Sequence, residues 1–140
     1  MSLSVPMMIG FGVIVYDPST QCMLLVQNKR HEFTLPKFIP RRYKGDIKRK
    51  NNLLAHCLKY ETGLDLDDHK LIEREFTLQY KTDRVKRFYM SIVLVDSSVS
   101  IKPLFDSQWV HINGIKNTLV TISDKQFINE VLDYIAISDL

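Results

Sequence analysis

Two groups of residues have the types and spacing to do chemistry. The first is the run from Lys29 to Lys50. Here Lys29, Arg30, Lys37, Arg41, Arg42, Lys44, Lys48, Arg49 and Lys50 are opposed only by Glu32 and Asp46. Such a density of positive charge attracts phosphate, because Lys and Arg hold phosphoryl oxygens directly with no metal between them. Phe33, Phe38 and Tyr43 interleave with the bases and offer rings on which nucleobases stack. The field therefore suits a phosphorylated small molecule or RNA. An acidic protein segment fits it too, and a solvated charged loop is the plain alternative. The second group is the segment Asn51–Leu64, NNLLAHCLKYETGL, whose single acid is Glu61. A lone carboxylate holds a hard divalent ion poorly unless substrate phosphates bridge it, since such ions demand several oxygen ligands.

The elements that must position these groups follow from periodicity. Met8–Tyr16 and Gln21–Asn28 read as strands joined by the turn residues Asp17-Pro18-Ser19-Thr20. Phe33–Leu35 is a short extended piece, and Phe38–Lys48 reads as a loop. Leu53, Leu54, Cys57 and Leu58 form one apolar stripe of a helix running from about Lys50 to Thr62, with Gly63 as its stop. His69–Lys81 and Val85–Asp96 are strands, and Ile92–Val95 is apolar throughout, as in a strand covered on both faces. Ser107–Ile112 is a strand carrying Trp109, which reads as core, and a helical turn is expected near Asn113–Thr118. Ser123 followed by Gln126 predicts the start of a final helix whose apolar face is Phe127, Ile128, Val131, Leu132 and Ile135. Strands with helices inserted between them predict an α/β sandwich with a mixed sheet.

The order of these elements, with Leu35-Pro36-Lys37 before the helix, Glu61-Thr62-Gly63-Leu64 at its end and Arg87-Phe88-Tyr89 on a later strand, resembles the Nudix hydrolases. In layout it looks most like those acting on dinucleoside polyphosphates (Ap4A) and diphosphoinositol polyphosphates. The resemblance implies a Nudix-type α/β/α sandwich over residues 1–140. The family box reads G-x5-E-x7-R-E-U-x-E-E-x-G-U, U being aliphatic. Aligned on Gly63 and Leu64, its last Glu is Glu61, and its other acids fall on Tyr60, Cys57 and Lys48. Its Arg falls on His56 and its opening Gly on Arg42. The box is thus degenerate. The family's chemistry uses Mg²⁺ or Mn²⁺ on that helix, and a neutral thiol or phenol is a poor ligand for either.

The resemblance also implies that Lys37 lies near the ligand phosphates and that Asp106 stands where some members carry an acid close to the metal. Glu61 is the one candidate catalytic residue, and Glu61 with Asp106 the candidate metal ligands. Arg87 and Tyr89 alternate with Phe88 and Met90, so one pair faces the pocket or solvent; Tyr89 is then able to stack on a base, with packing as the alternative. The candidate ligand-binding residues are Lys37, Arg41, Arg42, Lys44, Lys48, Arg49 and Tyr89.

Three readings of function follow. One is a weakly active or non-hydrolytic member, a pseudoenzyme that binds a phosphorylated ligand, RNA or a protein and needs no cofactor. Another is a working hydrolase of nucleoside polyphosphates, with Mg or Mn held by Glu61 and acids such as Asp46, Asp83 or Asp106. The last is a structural interaction subunit. Length, 45% hydrophobic and 25% charged residues and a net charge of +3 fit one ordinary globular domain with no membrane role. Cys22 and Cys57 sit in apolar patterns and read as core thiols of a reducing, intracellular compartment; Met1–Met8 lacks the shape of a signal peptide.

Overall fold

The computed structural model describes residues 7–41, 47–82 and 84–140, and for Ile47 and Lys48 the backbone alone. Arg42, Lys44, Asp46 and Asp83 therefore lie outside the described residues, as does the side chain of Lys48.

The centre of the molecule is a strand pair. β1 (Met7–Asp17) and β6 (Val85–Leu94) run parallel, in register from Met7 opposite Val85 to Tyr16 opposite Leu94. Both are rich in Val, Ile and aromatic residues. Successive side chains of β1 enter opposite layers: Phe11, Val13 and Val15 one, Ile14 and Tyr16 the other. β5 (Lys70–Lys81) pairs antiparallel with β6, with a register shift between Leu71 and Glu75. β2 (Cys22–Gln27) meets β1 only at Tyr16–Met23 and Asp17–Cys22; its longer partner is β7 (Ser107–His111). The sheet is thus mixed, as the sequence implied.

Each face carries one long helix. α1 (Ile47–Thr62) buries Leu54, Cys57 and Leu58 against Phe11, Val13, Val15 and Leu24. Leu53 and Trp109 pack at the edge of this layer, only partly buried. The helix starts three residues earlier than periodicity indicates and stops as expected. Gly63 takes a positive φ of 79° and its N–H bonds to the Lys59 carbonyl at 2.9 Å. On the other face α3 (Ile122–Ile137) buries Phe127, Ile128, Val131 and Ile135, each worth about 1.5–3 kcal/mol. Its cap differs from the sequence reading. Thr121, not Ser123, is the N-cap: its hydroxyl accepts from the Asp124 N–H at 3.0 Å. Ser123 offered a plausible cap, but Ile122, largely exposed, already lies inside the first turn. α2 (Ile115–Thr118) is the short turn before it.

One local arrangement makes the site. β1 and β2 diverge toward the N-terminal half of β1, and the segment 33–38 crosses the gap. β3 (Phe33–Thr34) pairs with β2, and β4 (Lys37–Phe38) pairs with β1 through Phe11–Phe38 and Gly12–Lys37. The Val13 N–H bonds to the Pro36 carbonyl at 3.0 Å. So Phe38 ends a strand, where the sequence suggested the beginning of a loop. Close approach explains Gly10 and Gly12. A Cβ on Gly12 would lie 2.7 Å from the Pro36 carbonyl oxygen, and one on Gly10 would lie 2.6 Å from that of Phe38.

Candidate functional site

The split between β1 and β2 opens a cleft of about 800 Å³, the size of a small-molecule site. One side is the end of α1, with Tyr60 and Glu61. The other is the start of α3, with Val120, Thr121 and Asp124. Lys29 and Arg30 come from the loop after β2. One side chain and one backbone conformation set that loop's shape: the Asn28 carboxamide oxygen accepts from the Arg30 and Glu32 N–H groups at 2.9 and 3.1 Å, and His31 takes a φ of 60°. Lys86 and Phe88 on β6 and Tyr80 on β5 also line the cleft.

Lys37 lies within this wall, its ammonium donating to Thr34 Oγ1 at 2.5 Å and to the Leu35 carbonyl at 3.3 Å. It stands 5.5 and 5.8 Å from the ring centroids of Tyr80 and Phe88. Two partners leave one ammonium proton without a protein acceptor among the described residues. Burial pulls its pKa below the ordinary value, while the charges of Asp124 and Glu61 push it back up. Asp124 is itself buried and takes hydrogen bonds from Thr34 Oγ1, at 3.2 Å, and from the Tyr80 hydroxyl. Burial, and then Asp124, push the Tyr80 phenol up. Lys37, Thr34, Asp124 and Tyr80 form one connected polar network.

Glu61 is partly buried on the α1 side; burial raises its pKa and Lys37 opposes that rise. It is the only acid of α1. Cys57 is fully buried in the layer between α1 and the sheet, and burial pushes its thiol far up, so it stays neutral. Tyr60 is 54% exposed. Among the described residues no group of three or more His, Cys, Asp or Glu side chains converges. These donors do not fit a Mg²⁺ or Mn²⁺ site of the kind that needs several carboxylate oxygens.

The structure brings together only part of what the sequence suggested. Lys37 and Glu61 share the cleft. Arg41 and Arg49 are exposed and do not line it. Tyr89 lies on the α1 layer, against Phe11 at 6.0 Å and with the Lys50 ammonium 5.9 Å from its ring centroid. Lys50 in turn pairs with Glu75. Asp106 is exposed and outside the cleft; its carboxylate accepts from the Ser107 N–H at 2.8 Å and its carbonyl from the Gln27 N–H at 2.9 Å. Sequence reasoning passed over Tyr80, Lys86 and Asp124. Nothing local marks them, because three distant elements deliver them to one place.

The mixed sheet between α1 and α3, with a cleft at the end of the helix that stops at Gly63, is the fold of solved Nudix-type hydrolases. No protein-family model and no curated protein matches the chain in sequence. Solved structures do match it. An Ap4A hydrolase of C. elegans, in a binary complex, superposes with a TM-score of 0.77 at 14% identity, over 92% of this chain and 98% of that one. A MutT protein from Methanosarcina mazei Go1 gives 0.66 at 15%, over 96% of each chain. A bifunctional NMN adenylyltransferase/ADP ribose pyrophosphatase from Francisella tularensis, complexed with AMP and a manganese ion, gives 0.71 at 18%. There the match covers 96% of this chain and 43% of the larger protein.

Proposed function

We propose that this chain is a Nudix-fold binding protein. It takes a phosphorylated small molecule into the cleft and hydrolyses it slowly or not at all. One observation carries the reading: the box helix presents a single carboxylate, Glu61, to a cleft whose charged lining is Lys29, Arg30, Lys37 and Lys86 against Glu32, Glu61 and Asp124. Tyr60 and Cys57 supply no charge where the resemblance puts acids, and Asp124 is already committed to Thr34 and Tyr80. Excess positive potential in a partly closed site favours an anion bound directly by the ammonium and guanidinium groups. Phe33, Phe38 and Phe88 line the same cleft and give an attached ring an apolar surface.

Because the solved neighbours include an Ap4A hydrolase and an ADP ribose pyrophosphatase, Ap4A and ADP-ribose are the first ligands to try. Titration calorimetry in EDTA should give saturable binding that weakens with salt. Incubation with Mg²⁺ or Mn²⁺ should leave the ligand intact over hours. Turnover in the presence of metal that disappears in Glu61→Gln would reject this function in favour of a working hydrolase. Absence of any binding would favour a structural interaction subunit.

A further inference from the structure

The cleft carries more apolar surface at its mouth than a bare phosphate requires. Among the described residues seven large hydrophobic side chains stay exposed, and four of them, Tyr60, Leu104, Phe105 and Val120, line this one cleft. Each is 50–54% exposed. Leu104 and Phe105 come from the loop before β7, and Val120 from the link between α2 and α3. Exposed apolar side chains gathered in one place mark a contact surface, because singly scattered ones are the norm. The buried Val26, Leu35 and Phe88 continue the apolar wall inward.

The polar lining divides into two kinds. Of seven neutral polar side chains in the wall, six already bond within the protein. Gln27 donates to the His31 carbonyl, Thr82 to the Arg84 carbonyl, and Thr34 and Tyr80 to Asp124. Asn28 and Thr121 accept from backbone N–H groups. Tyr60 is the seventh. The cations differ: Lys29, Arg30 and Lys86 have no ion pair among the described residues. Lys37 and Lys86 are the less exposed of the four cations. Burial lowers the Lys37 pKa, and the nearby charge of Lys86 lowers it further; Asp124 and Glu61 oppose this only in part. Two ammonium groups that close repel, and an anion between them relieves the repulsion.

The cleft thus offers free cations and hydrocarbon, with its neutral donors and acceptors largely committed. A nucleobase buried here would lack partners for most of its ring nitrogens and exocyclic groups, and each one left unpaired costs free energy. A hydrocarbon chain brings none to satisfy. We propose that the cleft takes the phosphate or diphosphate ester of a hydrocarbon alcohol, a single alkyl or prenyl chain, with the phosphate between Lys37 and Lys86 and the chain against Leu104, Phe105 and Val120. This deepens the reading of the cleft as an anion site and rests on it.

The test is titration calorimetry in EDTA with inorganic pyrophosphate, butyl, hexyl and octyl phosphate, geranyl diphosphate and ADP, each below its aggregation concentration. Affinity should rise about 2- to 4-fold for each methylene added, the upper figure being full burial. Geranyl diphosphate should bind at least about 10-fold more tightly than ADP. Lys86→Gln should weaken pyrophosphate and octyl phosphate alike, by about 10-fold. The double variant Leu104→Ser, Val120→Ser should flatten the dependence on chain length and leave pyrophosphate binding within about 2-fold. Both side chains are half-exposed, and circular dichroism confirms that the variant folds. Octyl phosphate bound no more tightly than butyl phosphate would overturn the proposal, as would ADP bound more tightly than geranyl diphosphate or a chain-length dependence that survives the double variant. In each of those cases pyrophosphate binding leaves the anion site standing. Failure of pyrophosphate and of every ester to bind at about 1 mM would overturn both.

Discussion

Lys37→Met separates the stability of the cleft from its affinity. The side chain is held by Thr34 Oγ1, by the Leu35 carbonyl and between the rings of Tyr80 and Phe88. Methionine keeps most of its length and apolar contact and removes the buried ammonium. Thr34 retains its bond to Asp124, so no hydroxyl is orphaned. Burial disfavours the ammonium more than the charges of Asp124 and Glu61 favour it, so removing the charge should be neutral or slightly stabilising. Lys37→Ala leaves a cavity as well and should cost about 2–5 kcal/mol.

Affinity should move the other way. A charge-assisted bond to a ligand phosphate is worth about 1.5–3 kcal/mol, so Lys37→Met should bind Ap4A about 10- to 100-fold more weakly. A pH series adds an independent check. Burial depresses the folded-state pKa of Lys37 below the ordinary 10.5. Below that folded value the lysine is protonated in both states and the full cost of burying its charge is felt. As the pH rises toward 10.5 the folded state sheds its proton first, and wild type gains stability that Lys37→Met does not. Urea denaturation at several alkaline pH values measures the gap. A variant that loses more than 3 kcal/mol yet binds Ap4A like wild type would show that Lys37 is a strut, and the cleft reading would fail.

Three further outcomes follow from the same geometry. Asp17→Ala should cost about 2–4 kcal/mol at pH 7 in chemical denaturation, because its carboxylate accepts from Ser19 N and Oγ at 2.9 and 2.7 Å and from Ser97 N at 2.9 Å. Burial pushes the Asp17 carboxyl up, but the bonds from Ser97 and Ser19 outweigh it and hold it well below its ordinary 3.8; the stability they give is complete above that value and fades as the pH falls through the lower one. Gly12→Ala should lower the melting temperature and expression together, since its Cβ would meet the Pro36 carbonyl 2.7 Å away, a clash costing about 1–3 kcal/mol or more. Glu61→Gln should be at least as stable as wild type at pH 7, with the gap opening as the pH rises above 4.5, because burial raises the Glu61 pKa and disfavours its charge; calorimetry should find Ap4A bound no more weakly.

Legibility differed between the scaffold and the site. Strands and helices were readable because their signals are local. The apolar run Ile92–Val95 announces burial on both faces, and Gly63 announces the end of α1. The helix boundary at Ile47 and the cap at Thr121 each fall two or three residues before the positions that side-chain preferences indicate, the second because the Thr121 hydroxyl takes the Asp124 N–H. Lys37 and Glu61 could be named from the resemblance. Tyr89 and Asp106 were named for the same reason, yet the fold keeps both out of the cleft. The alternation along β6 assigns Phe88 to the cleft layer and Tyr89 to the layer under α1.

The sequence by itself determined the alternation of strands and helices, the single acid, Glu61, in the helix before Gly63 and the concentration of positive charge ahead of that helix. Those are properties of composition and of periods two and 3.6, carried by neighbours along the chain. Only the tertiary structure decided which charges face one another. Asp124 and Tyr80 meet Lys37 across 87 and 43 residues of chain because β1 and β2 splay apart and Thr34–Lys37 bridges the gap beside the start of α3. A pairing of that kind depends on how two sheet edges diverge, and no local stretch of sequence encodes it.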